Sequence, residues 1–186
     1  LQCAGTLLGA GVDVVRAQTA DIFVPADSEI VLEAVVKPEQ LIEEGLVSEF
    51  HGRYHDYGPG LAVQFTTMTH RRYPIMQVIE PGLHSEHLLL GAVAIAAGMQ
   101  DRLRELVPNV REVAVPEAAS GRTAMVVAVN DIQPGQTVAI IEAGLTTSKL
   151  IKQVVVVDGD VDPWNLEAVE WARLSHARPE RDFVVM

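Results

Sequence analysis

The spacing of the apolar residues changes near Ser85, and this change restricts the possible folds more than any other feature of the sequence. Before it, apolar residues alternate with polar ones or form short β-branched runs, a pattern typical of strands. After it, apolar residues recur on one helical face as far as Leu106, Ser85 is a suitable N-cap, and Pro108 stops the helix. The Ala-rich middle of this helix would let a neighbouring sheet approach closely. The chain is therefore predicted to join a β-rich half to a half that contains helices.

Strands are predicted at four places before this helix. They span residues 12–19, 29–36, 61–69 and 74–79. The stretch between the second and third strands, residues 38–60, is rich in glycine and proline. It is predicted to be a long irregular loop rather than one regular element.

Strands and helices alternate after Pro108. Strands are predicted at 110–115, 123–129 and 153–157, and helices at 136–145 and 163–176. This alternation implies a small α/β layer. The fold class is therefore predicted to be α/β (α+β), with a β-rich portion at residues 1–84, a connecting helix at 85–108 and an α/β portion at 109–186.

Composition limits the partners of the chain. Its 186 residues are 48% hydrophobic, enough for a core, yet no apolar run approaches the roughly 20 residues of a membrane helix. Acidic residues outnumber basic ones by 25 to 14, and the net charge of -11 opposes binding to nucleic acid or to an anionic membrane. Cys3 is the single cysteine, which predicts a reducing compartment, the cytoplasm. Because the chain opens on Leu1 rather than Met, we expect its beginning to be missing.

Four stretches of sequence, taken in order, resemble one protein family. The first stretch is D-V-V-R-A-Q-T at 13–19 leading to V-P-A-D-S-E-I-V-L-E at 24–33, and the second is T-H-R at 69–71 with P-I at 74–75. The third is the turn and helix start at 81–91. The fourth is V-V-V-V-D-G-D-V-D at 154–162 with W-A at 171–172 and R-P-E-R-D at 178–182. Their order and spacing resemble the UbiD-type decarboxylases, which use prenylated flavin mononucleotide (prenylated FMN). The resemblance covers nearly the whole chain, and its first stretch is the most specific.

The resemblance implies a fold, cofactors and partners. The fold would be the second half of a flavin-binding split β-barrel followed by a small α/β domain that mediates oligomer contacts. The cofactor would be prenylated FMN with a divalent metal (Mn or Mg) and potassium, whose ligands lie mostly outside this chain. The partners would be a small-molecule carboxylic acid and an N-terminal UbiD segment or partner subunit, within a homo- or hetero-oligomer.

An acidic pair is the candidate catalytic centre. Residues 43–54 resemble the family's E-G-P-F-G-E-x-x-G-Y loop, and Glu44 and Glu49 take its two glutamate positions. The resemblance implies that the two carboxyl groups form an acid/base network beside the flavin, together with an upstream arginine. The carbon that has lost carbon dioxide must be reprotonated, and burial can keep a carboxyl group protonated near neutral pH. A second carboxylate then sets how the proton is shared.

The same loop departs from the family pattern between its glutamates. Leu46, Val47 and Ser48 stand where the family has Pro, Phe and Gly. If that glycine has a positive φ, Ser48 would strain the turn that aims Glu49. The expected arginine position is also unfilled, because Arg16 lies in a different predicted strand.

Other polar clusters have simpler interpretations. Lys149 lies near the place where the family has a basic residue that faces the flavin, and it is the candidate cofactor contact; Lys152 is close to the same place, and a surface lysine is the alternative for both. The histidine clusters at 51–56 and 84–87 lack a familiar metal-ligand spacing, and the acidic run at 158–162 lacks the remaining ligands of a calcium loop. No metal site is predicted within the chain.

Three functions remain open on the sequence. The first is non-oxidative, reversible decarboxylation of an aromatic, heteroaromatic or α,β-unsaturated carboxylic acid with prenylated FMN, carried out by this chain as a fragment or one subunit. The second is a non-catalytic assembly or regulatory subunit derived from such an enzyme. The third is a protein that binds ordinary flavin.

Overall fold

A computed structural model describes residues 1–186 and shows a mixed α/β protein with small sheets. The chain divides into two compact units. The first contains Leu1–Val47 and Tyr54–Ile79, and the second contains Ser48–Arg53 and Glu80–Met186. No helix combines the length and the apolar character that crossing a membrane requires.

Strands dominate the part of the chain before residue 80. After helix α1 (Gln2–Leu8), the strands are β1 (Val14–Arg16), β2 (Phe23–Pro25), β3 (Ile30–Glu43), β4 (Leu46–Ser48), β5 (Tyr54–Asp56) and β6 (Pro59–His70). They form three two-stranded sheets, β1 with β2, β3 with β6 and β4 with β5. The β3–β6 pair is antiparallel, with register shifts between Glu33 and Ala34 and between Lys37 and Leu41.

The two long strands, which we call the β3–β6 ribbon, leave most of their apolar side chains uncovered within the chain. Glu33 and Ala62 are its buried residues. Ile30 and Val31 are partly buried. Nine further large apolar side chains of the ribbon are between 48% and 63% exposed; they are Leu32, Val35, Val36, Leu41, Ile42, Leu61, Val63, Phe65 and Met68. An isolated two-stranded ribbon is marginally stable in water. The ribbon therefore needs further cover for its apolar surface.

The second unit has a conventional hydrophobic core around a three-stranded sheet. Its elements are α2 (Ser85–Leu106), β7 (Val110–Ala114), β8 (Ala124–Val129), α3 (Gln136–Thr147), β9 (Gln153–Asp158), α4 (Leu166–His176) and α5 (Pro179–Asp182). The strand order is β7-β8-β9, antiparallel for the first pair and parallel for the second. Residues of α2 and α3 pack on one face of the sheet and Val169 of α4 on the other, so β8 is buried on both faces.

Helix α2 confirms the strongest prediction made from sequence. Its buried residues recur at helical spacing, and the small side chains of Ala92 and Ala96 pack against Val115. The predicted cap is wrong by one residue, because His84 holds the extended N-cap conformation and Ser85 is already helical. The Ser85 hydroxyl instead donates to Glu117 Oε1 at 2.7 Å.

Two predictions for the β-rich half are wrong. Residues 74–79 form no strand. The segment 38–60 is not one irregular loop, because β3 continues through Pro38 to Glu43 and two short strands follow. Pro38 lies at the second register shift of the ribbon, where no ladder hydrogen bond from its nitrogen is needed.

Candidate functional site

A tight turn at residues 49–53, which we call the Glu49 turn, joins β4 to β5. The N–H of Glu49 donates to the carbonyl of Arg53 at 3.0 Å, and the N–H of Gly52 donates to the carbonyl of Glu49 at 2.9 Å. Gly52 has φ +75°, and a Cβ at this position would lie 2.5 Å from Leu83 Cδ1. The backbone conformation therefore favours glycine, and any Cβ here would also displace the exposed side chain of Leu83. These contacts define the backbone that carries Glu49.

Glu49 itself is half-buried, and its Oε2 accepts the N–H of Phe50 at 3.3 Å. Ser48, the residue before it, ends β4 and has no positive φ. The strain considered for a serine in place of the family's glycine therefore does not arise. The altered loop forms a regular strand and turn.

Glu44, the second predicted catalytic residue, belongs to the first unit, whereas Glu49 belongs to the second. It follows the end of β3, is exposed, and lies against the Cα of Gly60, where no side chain is present. The two glutamates thus differ in burial and in the unit that carries them. Their shared catalytic role stays a prediction.

A cavity of about 430 Å³ borders the Glu49 turn. Its lining residues come from the turn and from the segments that enter β8 and β9; they are Phe50, His51, Arg53, Thr123, Leu150 and Lys152. The N–H of Lys152 donates to the carbonyl of Thr123 at 2.8 Å, which joins the two strand entrances. The lining carries two cations and a histidine but no acidic residue, in a chain of net charge -11. This local positive potential favours an anionic ligand, and the volume is typical of small-molecule sites.

Arg122 contacts the Phe50 side of this cavity, with its guanidinium carbon 5.1 Å from the centroid of the Phe50 ring. Its Nη1 is buried and has no hydrogen-bond partner. An unsatisfied buried donor costs about 1–3 kcal/mol, so its presence calls for a physical reason. Sequence reasoning missed Arg122 and Phe50, because their contact joins residues 72 positions apart that share no motif.

Lys149, the predicted cofactor contact, is exposed and lies after the end of α3, outside the lining of the cavity. Lys152 contributes to the lining. The contact of Lys149 with a flavin therefore stays a prediction. Of the two lysines considered from the sequence, the structure places Lys152 in the cavity lining.

A buried carboxylate lies in the first unit. Glu33 accepts the N–H groups of Gln18, Thr19 and Ala20 at 2.6, 2.7 and 3.2 Å, and the Thr19 hydroxyl at 2.6 Å. The Thr19 hydroxyl, followed by the Gln18 N–H, lowers the pKa of Glu33 below its ordinary value. A carboxylate stabilised in its charged form anchors the 17–20 segment and is a poor proton donor near neutral pH. Glu33 falls within a motif that the sequence identified, but its anchoring role was not foreseen.

The residues of the chain do not fit a metal centre. Within residues 1–186, no group of three or more His, Cys, Asp or Glu side chains is arranged to hold a metal ion. The donors around the 430 Å³ cavity are cationic or neutral, which fits an anionic organic group and not a divalent cation. A metal that takes part in the chemistry would therefore need ligands from outside this chain.

Comparison with protein families identifies both parts of the chain. Residues 1–84 match the family model of the 3-octaprenyl-4-hydroxybenzoate carboxy-lyase Rift-related domain, UbiD. Residues 88–186 match that of the 3-octaprenyl-4-hydroxybenzoate carboxy-lyase C-terminal domain, UbiD_C. The two matches follow each other and leave only a short gap at the start of α2.

Solved structures and curated relatives agree with these matches. An evolved dimeric form of the UbiD-class enzyme HmfF from Pelotomaculum thermopropionicum, in complex with prFMN, is 34% identical with a TM-score of 0.93, and the match covers 98% of this chain and 43% of that one. The open form of vanillic acid decarboxylase from Sedimentibacter hydroxybenzoicus is 30% identical with a TM-score of 0.84, and the match covers 96% of this chain and 39% of that one. An uncharacterised protein of Archaeoglobus fulgidus is 30% identical over 98% of this chain and 38% of its own length. The chain thus spans about two fifths of the relatives it matches.

Proposed function

This chain belongs to the UbiD carboxy-lyase family, and from that premise we propose that it forms part of a non-oxidative, reversible decarboxylase that uses prenylated FMN. Its substrate would be an aromatic, heteroaromatic or α,β-unsaturated carboxylic acid. The observation that carries the proposal is the cationic cavity beside the Glu49 turn. A carboxylic acid substrate and a flavin phosphate are both anions, and both suit such a lining.

Glu49 is the proposed proton donor. When bound, prenylated FMN supplies the electron sink that lets the bond to carbon dioxide break. The carbon left behind needs a proton, and the carboxyl group of Glu49, which is half-buried and directly precedes Phe50 of the cavity lining, is suited to deliver it. Glu44 is proposed as the second carboxyl group, which sets how that proton is shared.

Arg53 and Lys152 are proposed to hold the anionic groups of the ligands at the cavity. Their charges would orient a carboxylate or a phosphate, while the ring of Phe50 offers an apolar face. Lys149 is proposed to contact the flavin from outside the lining. The divalent metal (Mn or Mg) and potassium expected for the family would be bound by residues outside this chain.

The β3–β6 ribbon supports the proposed partner. Most of its large apolar side chains are about half-exposed or more, and the chain spans 43% of the HmfF chain and 39% of the vanillic acid decarboxylase chain. We propose that the remaining part of a UbiD protein, as an N-terminal segment or as a partner subunit, covers the ribbon. The same part would supply the missing arginine of the acid/base network.

Replacement of Glu49 by Gln in the assembled enzyme tests the proposal. We expect kcat to fall by about 10²- to 10⁴-fold, as for loss of a general acid, while the absorption spectrum of bound prenylated FMN is retained. Glu43→Gln is the matched control, because Glu43 is an exposed glutamate at the end of β3. Unchanged decarboxylation by Glu49→Gln would contradict the proposed role.

A non-catalytic assembly subunit is the second candidate. The exposure of Glu44 and the replaced residues 46–48 favour it, because the family loop has lost part of its pattern in this chain. If Glu49→Gln leaves the activity of the assembled complex unchanged, this candidate replaces the first. A protein that binds ordinary FMN would instead show the flavin absorption of unmodified FMN.

A further inference from the structure

We propose that Arg122 is a positioning residue that fixes the Glu49 turn through the ring of Phe50. Three separate observations support the proposal: the guanidinium over the ring, its buried unpaired Nη1, and the close approach of the guanidinium to Gly91. None of the residues involved belongs to the predicted acid/base network. The catalytic consequence rests on the proposed function, whereas the structural consequence does not.

The backbone that leads to Arg122 is docked on helix α2. Ser120 and Gly121 both have left-handed φ values, 54° and 61°. Gly121 lies against the carbonyl of Leu88, and a Cβ at Gly121 would overlap that oxygen. The start of the Arg122 side chain is therefore fixed relative to α2.

Gly91 makes room for the guanidinium one helical turn after Leu88. A Cβ at Gly91 would lie 2.7 Å from Nη1, 2.9 Å from Cζ and 2.9 Å from Nη2 of Arg122. These distances show that the guanidinium packs directly against the helix at Gly91. Its carbon also lies over the Phe50 ring, 5.1 Å from the centroid, so the cation contacts both a glycine and an aromatic ring.

The Arg122 guanidinium is held by packing against Gly91 and Phe50. Nη1 gives up a hydrogen bond to lie against the helix, and the cation contributes its attraction to the face of the ring. The same ring also makes an edge-to-face contact with His51, with centroids 5.2 Å apart and planes at 62°. Phe50 is thus held from two directions, and it is the residue that follows Glu49 and lines the cavity.

Amide hydrogen exchange on the assembled protein tests the structural part. Arg122→Met should speed exchange in segment 48–53 by between about twofold and thirtyfold, the range expected for loss of a cation–π contact. Gly91→Ala should act in the same direction, because its Cβ displaces the guanidinium without removing it. Gly98→Ala is the matched control, since it adds a Cβ to the same helix with nothing within 4 Å.

A double substitution and steady-state kinetics complete the test. If Arg122 acts through Phe50, Arg122→Met should add nothing to the exchange rates once Phe50→Leu is present. In the active enzyme, Arg122→Met should lower kcat, and Arg122→Lys, which keeps a cation near the Phe50 ring, should restore part of the loss. Unchanged exchange in segment 48–53, or full additivity with Phe50→Leu, overturns the inference. An inactive parent enzyme would instead count against the proposed function and leave the exchange result decisive for Arg122.

Discussion

The carboxylate of Glu33 accepts both the backbone N–H and the side-chain hydroxyl of Thr19, at 2.7 and 2.6 Å. These two hydrogen bonds join β3 to the segment between β1 and β2, since Thr19 precedes Glu33 by 14 residues. Since Glu33 is only 6% exposed, it is the buried polar residue of the first unit. A set of converging donors around one carboxylate therefore holds the 17–20 segment on the ribbon.

The stability of this part of the chain is expected to depend on pH through Glu33. Its pKa is lowered in the folded chain, chiefly by the Thr19 hydroxyl, so its contribution is present above the unfolded value of about 4.3. The contribution is lost as the pH falls through the lower, folded value. Glu33→Gln should lower Tm by several degrees at neutral pH, because an amide NH₂ would face N–H donors. Its Tm difference from the parent should shrink in acid, and exposed Glu39→Gln should show neither effect.

The parts of the fold that local sequence determines were predicted well. Helix α2 and the strands β7, β8 and β9 were confirmed because their apolar periods report burial directly. The prediction at 74–79 failed because apolar, β-branched residues form a strand only where a partner strand is available. Likewise, β3 crosses Pro38 because β6 pairs with it, a long-range fact that glycine and proline content cannot reveal.

The candidate site also depends on long-range contacts that the local sequence does not reveal. The motif identified Glu44 and Glu49 as a pair, but not that they fall in different compact units. The stack of Arg122 on Phe50 could not be predicted, because it depends on Gly91 lying beside the guanidinium in the folded chain. The only local signal was a glycine that interrupts an Ala-rich helix, and many helices contain one without such a role.

Gly52→Ala should lower the stability of the chain by more than the backbone cost of placing an L-residue at a positive φ. An L-residue in the left-handed region costs about 1–2 kcal/mol. Gly58→Ala is the matched control and should show this backbone cost alone, since Gly58 has φ +73° and no atom lies within 4 Å of its Cβ position. At Gly52 the new Cβ also meets the end of the Leu83 side chain, which must move; because Leu83 is 63% exposed, we expect this to add at most about 1 kcal/mol, the low end of the cost of overpacking. Denaturant unfolding of both alanine variants measures the difference. Equal losses of stability would show that the contact with Leu83 relaxes freely.

The cavity predicts which of two lysines contributes more to the binding of an anionic flavin. Lys152→Met should weaken FMN binding by about tenfold or more, because a charge-assisted contact is removed, and the loss should shrink as salt is added. Lys149→Met serves as the comparison, since Lys149 is also exposed and only three residues away but lies outside the cavity lining. Titration of FMN fluorescence against the assembled protein gives both dissociation constants. A larger effect at Lys149 would favour the prediction made from sequence over the cavity.

The β3–β6 ribbon predicts where the rest of a UbiD protein binds. Phe65 is 63% exposed on β6, and a charge there would oppose burial of the apolar face by a partner segment. Phe65→Glu should therefore abolish co-purification of this chain with the upstream UbiD portion, while the far-ultraviolet circular dichroism of the chain is kept. Gln64→Glu introduces the same charge at the exposed neighbouring position and should leave the association intact. If both variants associate like the parent chain, the apolar face of Phe65 is not the binding surface, and the ribbon must be covered by a different contact.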